Sequence, residues 1–269
     1  MIPPLELTGL TKVFATPSGP YVAVKDVNAQ IERGEFVCLL GHSGCGKSTV
    51  LSIMAGLEQA TYGGVVIEGT EVREPGLDRA VVFQAPCLLP WLTARENVQL
   101  ALGLTADRAR GVADHYLDLV GVADAADQHP AALSLGTQQC VSLARALALD
   151  PTILLLDEPF AQLDSLTRFE LQDVLLSIWE EMRRIVVMVT HDIDEALYLA
   201  DRLILMTDGP EATVGDVLRV PFPRPRVRAA VLEHPQYDAC YSRVLDFLEH
   251  SAQQLRPSAL DPILQRSRP

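Results

Sequence analysis

Residues 41–48 read Gly-His-Ser-Gly-Cys-Gly-Lys-Ser. Glycines at this spacing let a short loop aim several backbone N–H groups at one point, and the lysine adds a full positive charge there. A hydroxyl beside the lysine suits a hard divalent cation. The chemistry on offer is the holding of a nucleoside triphosphate together with Mg²⁺. The candidate binding residues are Gly41, Ser43, Gly44, Cys45, Gly46, Lys47, Ser48 and Thr49, with Ser48 also a metal ligand.

A second group of chemically able residues sits further along. Asp157 and Glu158 follow the apolar run Ile153–Leu156. Asp157 is placed to join the Mg²⁺ shell, and Glu158 to orient a water or take its proton. His191 follows Ile185–Thr190, and Gln84 follows Ala80–Phe83. Alone, neither means much. Together, they suggest one site assembled from several strand ends, where ligands bind in open α/β sheets.

The elements that position these groups can be read from pattern. Phe36–Leu40, Ala80–Phe83, Ile153–Leu156 and Ile185–Thr190 are short apolar runs of the kind that form buried parallel strands. Lys47–Leu57 has helical spacing, with Val50, Leu51, Met54 and Leu57 on one face. Ala94–Leu104 and Val112–Val120 read as short helices, and Gln236–Leu255 as an amphipathic one with Tyr237, Tyr241, Val244, Leu245 and Leu248 on its apolar side. Between residues 219 and 229, Val-Pro-Phe-Pro-Arg-Pro-Arg-Val-Arg reads as a turn or extended linker, and the Pro-rich last dozen residues as a disordered tail.

Composition narrows the function. Among 269 residues, 48% are hydrophobic and 21% charged, enough for a packed core. The net charge of −13 opposes general nucleic-acid binding, so no nucleic-acid partner is expected. No apolar run reaches the ~18 residues that span a bilayer, and no secretory leader is evident. The five cysteines, at 38, 45, 87, 140 and 240, form no C-x-x-C pair, which favours free thiols over zinc or disulfides.

The order GHSGCGKST, VFQ, LSLGTQQ, LLLDEP, FAQLD, THD resembles the ATP-binding-cassette ATPases over about residues 5–219. That resemblance implies an α/β fold: a P-loop NTPase core with a parallel sheet, an N-terminal antiparallel β subdomain and an α-helical subdomain inserted at about 86–145. The domain division would be 1–219 for the nucleotide-binding part and 220–269 for linker, helix and tail. It implies that Gln84 senses Mg²⁺ and water, Asp157 is the Mg²⁺-linked carboxylate, Glu158 the catalytic base, and His191 a γ-phosphate contact. Asp164 would lie at a dimer seam. Phe14 would stack on adenine, with Tyr21 the alternative and a core Phe14 the third reading.

In this family a segment resembling Leu133–Thr137 caps the ATP held by a second chain. Leu133, Ser134 and Gly136 match its usual pattern; Leu135 and Thr137 do not. Ser134 keeps the hydroxyl of a helix N-cap, and Gly136 would allow close approach to phosphate. A single loop and a single such segment imply a second cassette chain, as a homodimer or with a relative. Cys45, inside the loop, is expected to be an alkylation site that ATP protects.

The stretches VVFQAPCLLPWLTARENV, DEPFAQLDSLTR and LEHPQYD further resemble the ATPases of nitrate, bicarbonate, cyanate, sulfonate and taurine importers, the nitrate/bicarbonate branch above all. This implies two transmembrane permease subunits, a solute-binding protein and a place on the cytoplasmic face of a bacterial inner membrane. Trp91 would then meet a permease, or else pack inside the helical subdomain. The competing readings are a regulatory cassette that hydrolyses weakly, and a non-transport cassette acting on nucleic acid.

Overall fold

Strand alternation explains the layering. The computed structural model describes residues 4–103 and 106–254. The chain runs β1 (Leu5–Thr16), β2 (Gly19–Ile31), β3 (Phe36–Leu40), α1 (Lys47–Ala55), β4 (Tyr62–Ile67), β5 (Thr70–Glu71) and β6 (Arg79–Val82). Three helices follow: α2 (Ala94–Gln99), α3 (Ala106–Leu119) and α4 (Leu135–Leu147). Then come β7 (Ile153–Asp157), α5 (Ser165–Met182), β8 (Ile185–Thr190), α6 (Ile193–Leu199), β9 (Arg202–Met206), β10 (Val214–Arg219), α7 (Arg228–Leu232) and α8 (Tyr237–Gln254).

Six strands make one sheet in the order β10-β9-β3-β8-β7-β6, parallel except for β10 at its edge. A second, antiparallel sheet has the order β2-β1-β4-β5. Side chains alternate across the main sheet because the strand period is two. Phe36, Cys38 and Leu40 enter one buried cluster with the helices α2 to α6; Val37 and Leu39 enter another with α1 and the antiparallel sheet. Both faces of β3 are therefore dry, which is why it reads as an unbroken apolar run. The fold is α/β, a P-loop type parallel sheet with an added antiparallel sheet and helical layer, as the sequence implied.

Several local expectations need correction. Leu57 is 52% exposed: α1 stops at Ala55, and Gly56 at φ 76° turns the chain so that Leu57 leaves the buried face. The helix expected over 94–104 ends at Gln99, with Gly103 at φ 56° beyond it, whereas α3 starts earlier than residue 112. On α8, Tyr237 and Val244 are buried, but Leu245 is exposed and Cys240 takes a buried place instead. The expected disordered tail lies beyond residue 254, outside the described residues.

Residues 220–227 have no regular structure, yet they are packed rather than free. Val220 and Phe222 join the helical-side cluster with Val231, Tyr237 and Val244. Arg226 is 7% exposed, and its Nη1 donates to the carbonyls of Leu197, Tyr198 and Ala200 at 3.3, 2.9 and 2.7 Å. Arg224 Nη2 donates to Leu199 O at 2.6 Å. These guanidinium groups satisfy carbonyls at the C-terminal end of α6, where a cation also meets the negative end of the helix dipole.

Candidate nucleotide-binding site

The loop between β3 and α1 uses its three glycines for different reasons. Gly44 and Gly46 have φ of 84° and 89°, a left-handed backbone that an L side chain strains to adopt. A Cβ on Gly46 would also stand 2.4 Å from Val24 Cγ1. Gly41 has no such φ; a Cβ there would lie 2.8 Å from Cys45 Sγ and 3.0 Å from Met206 O. The expectation that all three serve backbone freedom thus holds for two, while Gly41 serves space.

Gly46 is also the N-cap of α1, and it has no side chain to satisfy the first N–H groups of that helix. No acidic residue occupies the first turn. Those donors face the ligand side with their partial positive charge unanswered. Lys47 is 5% exposed, and its Nζ donates to Gly41 O at 2.7 Å and His42 O at 2.9 Å. The ammonium is thereby folded back over the loop, at the place where it can meet phosphate oxygens. His42 Nδ1 lies 2.8 Å from Asp208 Oδ1, which ties the loop to the chain after β9; sequence reasoning did not single out that pair.

Asp157 ends β7 and Ser48 lies in the first turn of α1, so sheet topology brings them together. Ser48 Oγ donates to Asp157 Oδ1 at 2.8 Å. Burial raises the Asp157 carboxyl above its ordinary range, and neighbouring Glu158 adds to that; Ser48 and Lys47 pull the other way. A half-buried carboxylate whose charge is costly, held beside a hydroxyl, suits a divalent cation. Among the described residues no group of three His, Cys, Asp or Glu could hold a metal. Such a cation would therefore complete its shell with phosphate and water, as Mg²⁺ commonly does.

Glu158 stands at φ 46°, outside the usual range for a non-glycine residue, and its N–H donates to Val189 O at 3.0 Å. Strain of this kind costs on the order of 1–3 kcal/mol and collects at functional positions. Its Oε2 lies 3.4 Å from His191 Nδ1. Gln84, two residues past β6, lines the same cleft as Lys47, Ser48, Asp157 and Glu158. This cleft of about 450 Å³ also takes Ser43, Gly44, Gly46, Thr49, Phe14, Tyr21 and Ala23 into its wall.

Phe14 and Tyr21 are cross-strand partners on β1 and β2, and both line the cleft. Phe14 is partly exposed, so the core reading fails. Lys12 Nζ sits 5.0 Å from the centre of the Phe14 ring, while Tyr21 is 41% exposed. The two aromatic rings together form the apolar end of the cleft.

Several expected residues lie elsewhere. Gly41 and Cys45 are not in the cleft wall. Cys45 is 1% exposed with its thiol pushed up by burial, so ready alkylation is not what this loop permits. Ser134, Gly136, Asp164 and His191 are absent from the wall too, His191 reaching the site only through its neighbour Glu158. Ser134 is the N-cap of α4, its Oγ accepting from Thr137 N at 3.1 Å and lying 2.9 Å from Thr137 Oγ1. Asp164 caps α5, accepting from Thr167 N at 3.1 Å, and hydrogen bonding from the Thr167 hydroxyl and then from its N–H lowers the Asp164 carboxyl below the ordinary range. A Cβ on Gly136 would stand 2.4 Å from Thr167 Cγ2, so within the chain this glycine lets α5 approach α4.

The chain matches the ABC transporter family over residues 24–161. The chain belongs to that family. The cassette is 53% identical to the nitrate import ATP-binding protein NrtD of Synechococcus elongatus over 242 residues, 88% of each chain. It is 48% identical to the bicarbonate transport ATP-binding protein CmpD of a Synechocystis species over 249 residues, 91% of this chain and 88% of that one. Among solved structures it is similar to the dimeric post-hydrolysis state of the ATP-binding cassette MJ0796 bound to ADP and Pi, with TM-score 0.73 and 34% identity. That match covers 81% of this cassette and all of the other chain.

Proposed function

We propose that the cassette is the ATP-hydrolysing subunit of an importer for a small anion of the nitrate or bicarbonate kind, with cyanate, sulfonate or taurine as the remaining cargoes of this group. Support for the cargo class is the likeness to NrtD and CmpD over most of each chain. The acidic balance and the single cassette disfavour a nucleic-acid role.

One observation carries the mechanism: the cleft gathers Lys47, Ser48, Gln84, Asp157 and Glu158, with His191 just outside its wall beside Glu158, and leaves Ser134, Gly136 and Asp164 away from it. On this reading the loop N–H groups and Lys47 hold the triphosphate, and Phe14 and Tyr21 flank the base. Ser48 and Asp157 hold Mg²⁺ with Gln84 nearby; when bound, the cation offsets charge on the transferring phosphoryl group. Glu158 orients the attacking water and accepts its proton, and His191, beside it, faces the γ-phosphate.

The missing cap comes from a second chain, a copy of this one or a relative, whose Ser134 and Gly136 close the site while Asp164 lines the seam. Leu135 and Leu166, in the first turns of α4 and α5, are 37% and 69% exposed, which suits a surface that a partner covers. The assembly is completed by two transmembrane permease subunits and a solute-binding protein, with the cassette on the cytoplasmic face of a bacterial inner membrane. Among the described residues no helix is long and apolar enough to cross a membrane, so the cassette would attach through such permeases. Trp91 is 69% exposed, which removes the reading that it packs inside the helical layer and leaves it free for a permease. Residues 1–219 would act as the nucleotide-binding unit with its helical insertion at about 86–145, and 220–269 as an appended segment.

Glu158→Gln tests the scheme. Phosphate release is expected to fall by roughly a hundredfold or more, while size-exclusion chromatography at saturating ATP shows a stable two-chain species. A variant that stays monomeric under those conditions would sink the shared-site reading.

A further inference from the structure

The segment carrying Gln84 is gripped at both ends by a single helix. Gln139, on α4, is 2% exposed and its Nε2 donates to Phe83 O at 3.0 Å, the carbonyl just before Gln84. Arg145, two turns further along α4, donates to Pro86 O at 3.1 Å and Cys87 O at 2.9 Å, just after it. Six residues of helix rise about 9 Å, and the three steps from Phe83 to Pro86 span at most about 10 Å when extended. The spacing of the two grips therefore matches the piece of chain they hold.

We propose that α4 acts as a lever between the two nucleotide sites of the assembled pair, with Gln139 and Arg145 as the positioning residues that make Gln84 follow it. The proposal rests on the two-chain reading of Ser134 given above. Ser134 heads α4, and on that reading it touches the nucleotide held by the partner. Gln84 lines the cleft of its own chain. A continuous helix joins the two, and its side chains hold the carbonyls on either side of Gln84. Displacing the head of α4 displaces those carbonyls, so occupancy of one site is felt at the other, and the coupling is reciprocal. Neither Gln139 nor Arg145 lines the cleft, so both act through Gln84. The helix does not need these two side chains to keep its place, because Val141, Ala144 and Leu147 anchor it in the core.

Cys87 supplies a reporter. It is exposed and lies within the gripped segment, whereas Cys38, Cys45 and Cys240 are buried. Cys140 is half-buried with its thiol pushed up to about 11 by burial, and Cys140→Ser removes it from competition.

The experiment places an environment-sensitive fluorophore on Cys87 of the full-length Glu158→Gln/Cys140→Ser chain and adds MgATP. The expected result is an emission change on two-chain assembly, cut at least twofold by Gln139→Leu although the assembly still forms. With Glu158 restored, Gln139→Leu lowers kcat fivefold or more and leaves KM within twofold. Gln139→Glu behaves alike, since a carboxylate cannot donate to Phe83 O. Arg145→Lys, which reaches one carbonyl but not two, gives a partial loss and serves if the Gln139 variants fold poorly. An intact assembly in which Gln139→Leu and Arg145→Lys leave both the emission change and kcat unaltered overturns the lever. Absence of assembly in the Glu158→Gln chain itself overturns the two-chain reading, and the lever with it.

Discussion

Two helix starts in this cassette are built in opposite ways. Helix α1 begins at Gly46, which offers no side chain to its first N–H groups. Helix α4 begins at Ser134, whose Oγ accepts from Thr137 N and also meets the Thr137 hydroxyl. Uncapped donors at a helix start that opens on a cleft are left for water or a ligand to satisfy. The α1 end is therefore open to a ligand in the cleft of its own chain, with Lys47 already folded over the loop. The α4 end answers one of its first donors with its own Ser134 hydroxyl and lies outside the cleft of its chain, so any nucleotide it touches is one held elsewhere. The same division separates the glycines: Gly46 is set by backbone conformation, Gly136 by the methyl group of Thr167.

The contrast can be broken at its strongest point by Lys47→Ala. Titration calorimetry should show nucleotide affinity lowered by about 3 kcal/mol, roughly a hundredfold, because a charge-assisted contact disappears. Unchanged affinity would mean that α1 is not the ligand-binding end. Gly136→Ala should destabilise by about 1–3 kcal/mol through overpacking against Thr167, and Thr167→Ser, which removes only the crowding methyl, should restore the melting temperature. If ATPase activity returns together with stability in that double variant, Gly136 serves packing alone. If stability returns and activity does not, the glycine also serves the second nucleotide, and the two helix starts are more alike than their caps suggest.

Ser134→Ala should cost about 1 kcal/mol of stability from the lost cap, read by denaturant titration, whether or not nucleotide is present. The smallest expected effect is nil: iodoacetamide should label Cys87 while leaving Cys45 untouched over the same interval, with or without ATP. Labelling of Cys45 as fast as Cys87 would show that the loop around α1 opens far more than its burial implies.

What the sequence disclosed and withheld follows from range. The loop 41–48, the strands β3, β7 and β8, and the N-cap Ser134 depend on residues adjacent in the chain, and all were legible. Asp157 could be paired with Ser48 only by assigning both to one Mg²⁺ shell, because 109 residues separate them and no local pattern joins them. Gln139 gave no signal at all, since its partner Phe83 O lies 56 residues away and any polar residue on a helix looks alike in one sequence. The packing reason for Gly136 was hidden for the same cause: Thr167 is invisible from position 136. Leu57 and Leu245 fit an apolar periodicity but fall outside the buried face, Leu57 because Gly56 ends its helix one residue earlier. Arg224 and Arg226 looked like a basic linker, and only the folded chain shows that they close the end of α6.

That closure has a bearing on how the protein is made. A ribosome that has released residues up to 219 has already delivered every group in the cleft, yet the carbonyls of Leu197, Tyr198 and Ala200 still await a guanidinium that has not emerged. The cleft is thus fully supplied before the end of α6 is closed, and a chain cut short ahead of Arg224 would keep that helix end open.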